Sequence, residues 1–545
     1  MSIHLFSAVF LLACITSARA AYLPLGTPPR SAGAAIDGGE VVLASVDGGF
    51  AADGVVVELV RKGEDRQSVV LSSVKPISSV RLSWPVDFGS SATVLGDHWE
   101  RTYGETYWRP IGAPRAMPWF FLVKEGERTD GYGVMTQPNA FACWRTDGRS
   151  LDLVIDVRAA GRPVRLSGRK LEAVTLVSRK GLVGESAFAA GQPFCRMMCP
   201  APRLPKEPVY GYNDWYCAYG KQTAEGYLRD AKEVVGLCAG LANRPYAVVD
   251  DGWQRRGGDR KVYGWGPWAW TKSRPGFGME MPEFTARIAA LGAKPGLWYR
   301  PLIAWPEADQ AELQLDNGKA FDPTVPSVRA RIASDIARFR SWGMKLVKVD
   351  FLTYDISGNW VCDRRDNADR LIIDDRRWRD DSRTTAEVMK DLYRTMREAA
   401  GDEMVIIGCN AINHLAAGLF EVQRTGDDTS GRKWGQTLRN GVNTLGMRAM
   451  MNRTFYQADP DCVGLAERDA VPWSLNAQWL DLVARSGTSL FVSWKADLLS
   501  DEVRSALRAA FSAASVWHET AEPLDWETVP TPKRWQIDGQ KEYSW

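Results

Sequence analysis

The sequence predicts an N-terminal β-sandwich, a (β/α)8 barrel of the TIM type and a short C-terminal β segment. Three observations carry this prediction. Residues 21–200 contain short β-branched runs, such as Val55–Val60, Ser68–Leu71 and Leu151–Ile155, punctuated by Gly, Asp and Asn. From residue 209 onward, short apolar strands alternate with amphipathic helical stretches eight times. The length, 545 residues, suits two or three domains.

Taken in chain order, residues 1–20 read as a signal peptide. Positions 3–17 are almost wholly apolar, and Ala18-Arg19-Ala20 is a small-x-small cleavage signal. A secreted or periplasmic protein, cut after Ala20, is expected. A lipid anchor at Cys14 is the alternative, and no later run is apolar and long enough to span a membrane. The sandwich is assigned to 21–205 and ends in a stiff linker with four prolines between Pro200 and Pro208. Eight cysteines follow the signal segment, and some could pair in an oxidising compartment; Cys195 and Cys199 are the closest in sequence.

The barrel is assigned to 206–518. Its strands are expected to begin near Val209, Tyr246, Lys294, Lys345, Met404, Phe420, Thr454 and Thr488, with helices over 222–240, 325–341, 384–399, 468–485 and 500–512. The fifth connection, 411–419, is short, so its helix is expected to be reduced. A doubly wound sheet is the competing fold, but no glycine-rich phosphate loop follows any strand. The densely charged stretch 363–383 reads as a solvated, salt-bridged segment, with a rim over the barrel mouth as the alternative. Residues 519–545 read as the start of a small β unit.

Charge and composition exclude several functions. Sixty-eight basic and 66 acidic residues give a net charge of +2, which disfavours a nucleic-acid partner. Four histidines, scattered along the chain, argue against a zinc site or a Ser-His-Asp triad, so no metal or organic cofactor is implied. Carboxylates are left as the proton carriers. The 23 tryptophans suit the packing of sugar rings as well as ordinary core. The oligomeric state is not readable.

Barrel enzymes place their reacting groups at the C-terminal ends of the strands. Here those ends are acidic at five of eight strands: Asp214-Trp215, Asp250-Asp251, Asp350, Asp427-Asp428 and Asp459-Pro460-Asp461. Lys348 and Asp350, two apart on a strand, share a face, and the cation favours an ionised carboxylate. Adjacent like charges at Asp427 and Asp428 are expected to raise one carboxyl, which suits a proton donor. Two carboxylates across a pocket without histidine suggest glycoside hydrolysis of a carbohydrate substrate. The segment Asp97-His98-Trp99-Glu100-Arg101 is expected on the sandwich surface, with a loop reaching the barrel mouth as the alternative.

These motifs together resemble the clan D glycoside hydrolases, the α-galactosidase group of families 27 and 36. The resemblance implies Asp350 as nucleophile in Lys348-Val349-Asp350, and Asp428 as acid/base in Arg424-Thr425-Gly426-Asp427-Asp428, with Asp427 as the lesser candidate. It implies that Asp250 and Asp251 bind the 4- and 6-hydroxyls of galactose. Lys348 and Arg424 would bind the 3- and 2-hydroxyl regions, with Trp215, Trp298, Cys409 and Asp461 completing the pocket. The sequence departs from the family at Leu352, where family 27 often has a disulfide cysteine, and at Cys409-Asn410-Ala411-Ile412-Asn413, where family 36 has a glycine-rich stretch. The resemblance leaves α-N-acetylgalactosaminidase and β-L-arabinopyranosidase specificities open, and a catalytically silent sugar binder as a third reading.

Overall fold

The computed structural model describes residues 22–36, 39–112, 115–256, 268–304, 308–315, 319–360, 369–466 and 470–545. The expected signal segment, with Cys14, lies outside them, as do Cys362 and the first part of the charged stretch, Asp363–Asp366.

The N-terminal region is a large antiparallel sheet of fourteen strands among the described residues, folded back on itself into a sandwich. The strand Gly39–Val46 joins the two layers, pairing with Ser31–Ile36 on one side and Gly49–Ala52 on the other. Side chains alternate as the pleat requires: Leu151, Leu153 and Ile155 are buried while Asp152 and Val154 are half-buried. The layers meet through aromatic rings, with Phe121 of one layer 6.0 Å from Trp144 of the other. A helix, Ala187–Met198, closes the region, N-capped by the Ser186 hydroxyl. Gly191 and Pro193 inside it disguise it in the sequence, where a β-rich stretch was expected. Cys195 and Cys199 sit one turn apart at its end and are buried free thiols, so the expected closest pair is not bonded.

All eight barrel strands form. We label them β1 (Tyr210–Asn213), β2 (Tyr246–Val249), β3 (Lys294–Tyr299), β4 (Leu346–Val349), β5 (Val405–Gly408), β6 (Val422–Arg424), β7 (Gln457–Asp459, resumed at Cys462–Leu465) and β8 (Leu490–Trp494). Every pairing between them is parallel. The first half of β7 pairs with β6 and its second half with β8, so the sheet closes through the break at Pro460-Asp461. The strands are buried on both faces and read as near-continuous apolar runs. Long helices follow β1 (Ala224–Leu237), β2 (Met281–Leu291), β3 (Pro326–Ser341), β4 (Thr385–Ala400), β7 (Trp473–Arg485) and β8 (Asp501–Ala514). Thr384 and Glu387 form a capping box on the helix after β4. The fifth connection holds only the single turn Asn413–Ala416, as its length predicts. A three-stranded sheet, Glu522–Pro523, Arg534–Gln536 and Gln540–Glu542, follows the barrel.

The described part of the charged stretch ties the sandwich to the barrel. Arg165 pairs with Asp381 at 2.8 Å and Arg162 with Asp375, while Arg169 donates to the Ser382 carbonyl at 2.9 Å and, beyond the stretch, pairs with Glu387 at 2.9 Å. Asp97–Tyr103 departs from its expected place. It runs into the C-terminal face of the barrel: the Thr102 amide donates to the Thr425 carbonyl at 2.9 Å, and the Asp427 amide donates to the Thr102 carbonyl at 3.1 Å. Arg448, buried, donates to an Asp97 carboxylate oxygen at 2.9 Å and to the Glu100 carbonyl. A sandwich-surface reading fails because most of the segment's polar groups find their partners only on the barrel.

Candidate active site

The end of β4 is the most rigid part of the site. Asp350 is buried, 9% exposed, and both carboxylate oxygens are engaged. Oδ1 accepts from the Phe351 amide at 2.8 Å, and Oδ2 accepts from the Trp298 indole at 3.1 Å. Phe351 has φ 61°, the left-handed region that a bulky side chain rarely adopts. That turn ends the strand and folds the amide back onto the carboxylate. Arg300 lies over the Phe351 ring at 4.1 Å and is itself locked by a bidentate ion pair to Asp355. The strained backbone is thus held from above. Trp298, at the end of β3, is a hydrogen-bond partner of the candidate nucleophile rather than plain core.

Lys348 faces the barrel axis from the same strand. Its ammonium donates to Asp250 Oδ2 at 2.8 Å. Burial alone would push Lys348 down, but the carboxylates around it, Asp250 first and then Asp350, outweigh it and hold it well above its ordinary value. Asp250 also accepts from the Asn213 side chain at 2.7 Å and, through Oδ1, from the Asp251 amide at 2.8 Å. Asp251 is half-buried and accepts from Gln254. Behind the pair lies Asp214, whose Oδ1 accepts the Asp250 amide at 2.7 Å. Burial pushes the Asp214 carboxyl well above the ordinary carboxylate range. Trp215 follows, half-buried against Tyr219.

Across the barrel, β6 ends in Arg424, 1% exposed. Its guanidinium donates to Asp428 at 3.3 Å, to the Cys409 sulfur at 3.3 Å, and pairs with Asp461 at 3.1 Å. Gly426 follows because no side chain fits: a Cβ there would lie 2.0 Å from the Asn440 carbonyl oxygen. Asp461, left-handed at φ 73°, interrupts β7. Its Oδ2 accepts from the Thr429 amide at 2.7 Å and from the Tyr216 hydroxyl, while Oδ1 faces Arg424. Asp461 therefore buttresses Arg424 and the loop after β6. Cys409, buried at the end of β5, lies between Arg424 and Arg101, and burial pushes its thiol up, so it is a neutral wall of the pocket.

Asp428 is the exposed carboxylate of the site, its side chain 42% accessible. Burial of its surroundings works to raise it, but Arg424, Arg101 and Lys348 win and hold it below the ordinary carboxylate range. The expected raising of one carboxyl by its neighbour is overturned here. Asp427 pairs with Arg101, 3.0 Å from its guanidinium, and three cations from three elements surround Asp428. Glu100 and Arg101 belong to the segment for which the sequence offers a barrel-mouth loop as the alternative to sandwich surface, and the structure places them at the barrel mouth. Glu100, fully buried, accepts from Tyr103, Thr353 and Asn410, and so joins the turn after β4 to the turn after β5. Among the described residues no cluster of His, Cys, Asp and Glu is placed to hold a metal, and no helix is long and apolar enough to cross a membrane.

No protein-family profile matches the chain. Solved structures do. An α-galactosidase from Thermus thermophilus, in complex with p-nitrophenyl α-D-galactopyranoside, superposes with TM-score 0.59 at 16% identity, covering 94% of this chain and 99% of that one. The GH36 α-galactosidase AgaA from Geobacillus stearothermophilus gives 0.57 at 12% identity, over 93% and 79%. The α-galactosidase from Lactobacillus brevis gives 0.56 at 12%, over 89% and 68%. At such identities the likeness is one of fold. The chain has the sandwich-and-barrel architecture of the α-galactosidase-type glycoside hydrolases.

Proposed function

We propose that the protein is a retaining glycoside hydrolase acting on terminal α-galactosyl-type residues of oligo- or polysaccharides. One arrangement carries the proposal above all. Asp350 is held rigid and low in the pocket beside Lys348, and a second, half-exposed carboxylate, Asp428, stands on β6 with no histidine beside it. A nucleophile must be ionised and fixed in aim; an acid/base must reach both the leaving oxygen and water.

In the first step Asp350 attacks the anomeric carbon, the glycosidic C–O bond breaks, and Asp428 gives its proton to the leaving oxygen. A glycosyl ester forms on Asp350. In the second step Asp428 takes a proton from water, which displaces the ester and frees the sugar with its configuration retained. Asp250, Asp251 and Lys348 offer acceptors and a donor for ring hydroxyls, and Arg424 with Cys409 faces the neighbouring edge of the ring. That the solved relatives are α-galactosidases, one of them holding stachyose, supports the substrate class. Export through residues 1–20 belongs to the same proposal and is checked by the N-terminal mass of the exported protein.

Hydrolysis of a panel of nitrophenyl glycosides, with the product anomer followed by NMR, tests the assignment. Release from the α-galactoside with the α-anomer formed first is expected. Faster release from the N-acetylgalactosaminide or β-L-arabinopyranoside would move the specificity within the clan. Sugar binding with no release from any glycoside overturns the assignment of an enzyme.

A further inference from the structure

Asp97–Tyr103 enters the catalytic face from outside the barrel. Its backbone is stitched to the loop carrying the acid/base: Thr102 bonds both Thr425 and Asp427. Its side chain Arg101 is buried, pairs with Asp427 at 3.0 Å, and lies against Cys409 and the face of Trp360 at 5.5 Å. Arg101 Nε, buried, has no hydrogen-bond partner among the described residues. Burial works to lower the Arg101 guanidinium, but the groups around it, Asp427 and Glu100 among them, outweigh it and hold it well above its ordinary value.

We propose that Arg101 is a positioning residue for the acid/base, delivered to the barrel by the sandwich and required to hold Asp427 aside so that Asp428 alone faces the substrate. The inference rests on the hydrolase reading above and adds a residue from the other structural region to it. Arg101 engages Asp427 in an ion pair, which keeps two adjacent carboxylates from competing for one proton. Its charge also bears directly on Asp428. The groups facing Asp428 are Arg424 and Asp427 from β6, Arg101 from the sandwich, Lys348 from β4 and Tyr216 after β1. Removing Arg101 takes away one of three cations and frees Asp427 to repel its neighbour. Both changes raise the Asp428 carboxyl.

The test is the pH profile of kcat/KM for R101Q on an unactivated α-galactosyl oligosaccharide such as stachyose, whose leaving group needs the proton, with thermal unfolding measured alongside. In a retaining mechanism the protonated acid is required, so its ionisation sets the alkaline limb. That limb is expected to move up by about one pH unit, with kcat reduced. R101K, which keeps the charge, is expected to leave the limb near the wild-type position and to lose activity through the missing fork. R101M, which keeps the packing against Trp360, serves if R101Q does not fold, with the same shift expected. An alkaline limb unmoved in R101Q or R101M overturns the inference, as does loss of activity that follows the folded fraction alone. Wild-type protein inactive on every glycoside sinks the hydrolase reading instead.

Discussion

The ends of β4 and β6 carry one carboxylate each, and they are built in opposite ways. Asp350 is buried, gripped at both oxygens, and locked by a left-handed turn under Arg300. Asp428 is half-exposed and held by one long contact to Arg424, while its charge is governed by cations from three different elements. The first site is defined by geometry and the second by electrostatics. A nucleophile that must meet one carbon atom gains from rigidity. A group that hands a proton to one oxygen and takes one from another gains from room to move and from a tunable charge.

The largest effect should come from breaking the rigid side. Asp350→Gly removes the nucleophile and is expected to lower kcat at least about 10⁴-fold while leaving the fold intact. Azide added to this variant should restore turnover and yield a glycosyl azide of inverted configuration. Near-normal hydrolysis by the glycine variant would falsify the assignment of Asp350.

Asp428→Asn comes next. Loss of a general acid costs on the order of 10²- to 10⁴-fold, and the loss should be steep for oligosaccharides and small for aryl glycosides whose leaving group needs no proton. The cations surrounding Asp428 also predict a pH signature. Because its carboxyl is held low in the free protein, the protonated form is lost as pH rises through the acidic range, so kcat/KM should fall early on its alkaline side. A bound sugar excludes water and weakens the ionised form, so the alkaline limb of kcat should lie at higher pH than that of kcat/KM. Coincident limbs would show that substrate does not desolvate the acid.

Trp298→Phe sharpens the contrast from the rigid side. It deletes the indole N–H that donates to Asp350 Oδ2 and keeps most of the ring. A hydrogen bond to a charged group is worth about 1.5–3 kcal/mol, so kcat should drop on the order of 10- to 100-fold. The same substitution should leave the pH limb set by Asp428 in place.

Most of the rigid side was legible in the sequence and most of the electrostatic side was not. The apolar runs around Lys345–Phe351 and the other strands declare themselves by composition and spacing, and Lys348 and Asp350 share a face by the period of a strand. Local patterning of that kind fixes the eight strands, their order and the reduced fifth helix. Asp428 is different. Its neighbour in sequence, Asp427, implies repulsion, yet Arg101 lies more than 300 positions away and cancels it. No periodicity records such a contact, so for Asp97–Arg101 the sequence leaves sandwich surface and a barrel-mouth loop as alternatives until the fold brings the segment to β6. Asp461 shows the same limit. The strand-end motif marks it as part of the site, but only the fold reveals that its oxygens engage Tyr216, Thr429 and Arg424.

The smallest expected effect is also the sharpest on the choice within the β6 pair. Asp427→Asn keeps an oxygen for the Arg101 guanidinium and leaves the backbone bond to Thr102 untouched. It removes the charge that pairs with Arg101. If Asp428 is the acid, this variant should lose only a few-fold in kcat/KM, as for one weakened ion pair of about 1 kcal/mol, and should keep its preference among leaving groups. Arg101, released from its charged partner, would then act more fully on Asp428, so the alkaline limb should move slightly down, opposite in sign to R101Q. If Asp427→Asn instead shows the steep leaving-group dependence and Asp428→Asn does not, the two aspartates exchange roles. The cations around Asp428 would then serve to hold a sugar-binding carboxylate ionised, and the comparison between a geometric and an electrostatic carboxylate would have to be redrawn with Asp427 in the second place.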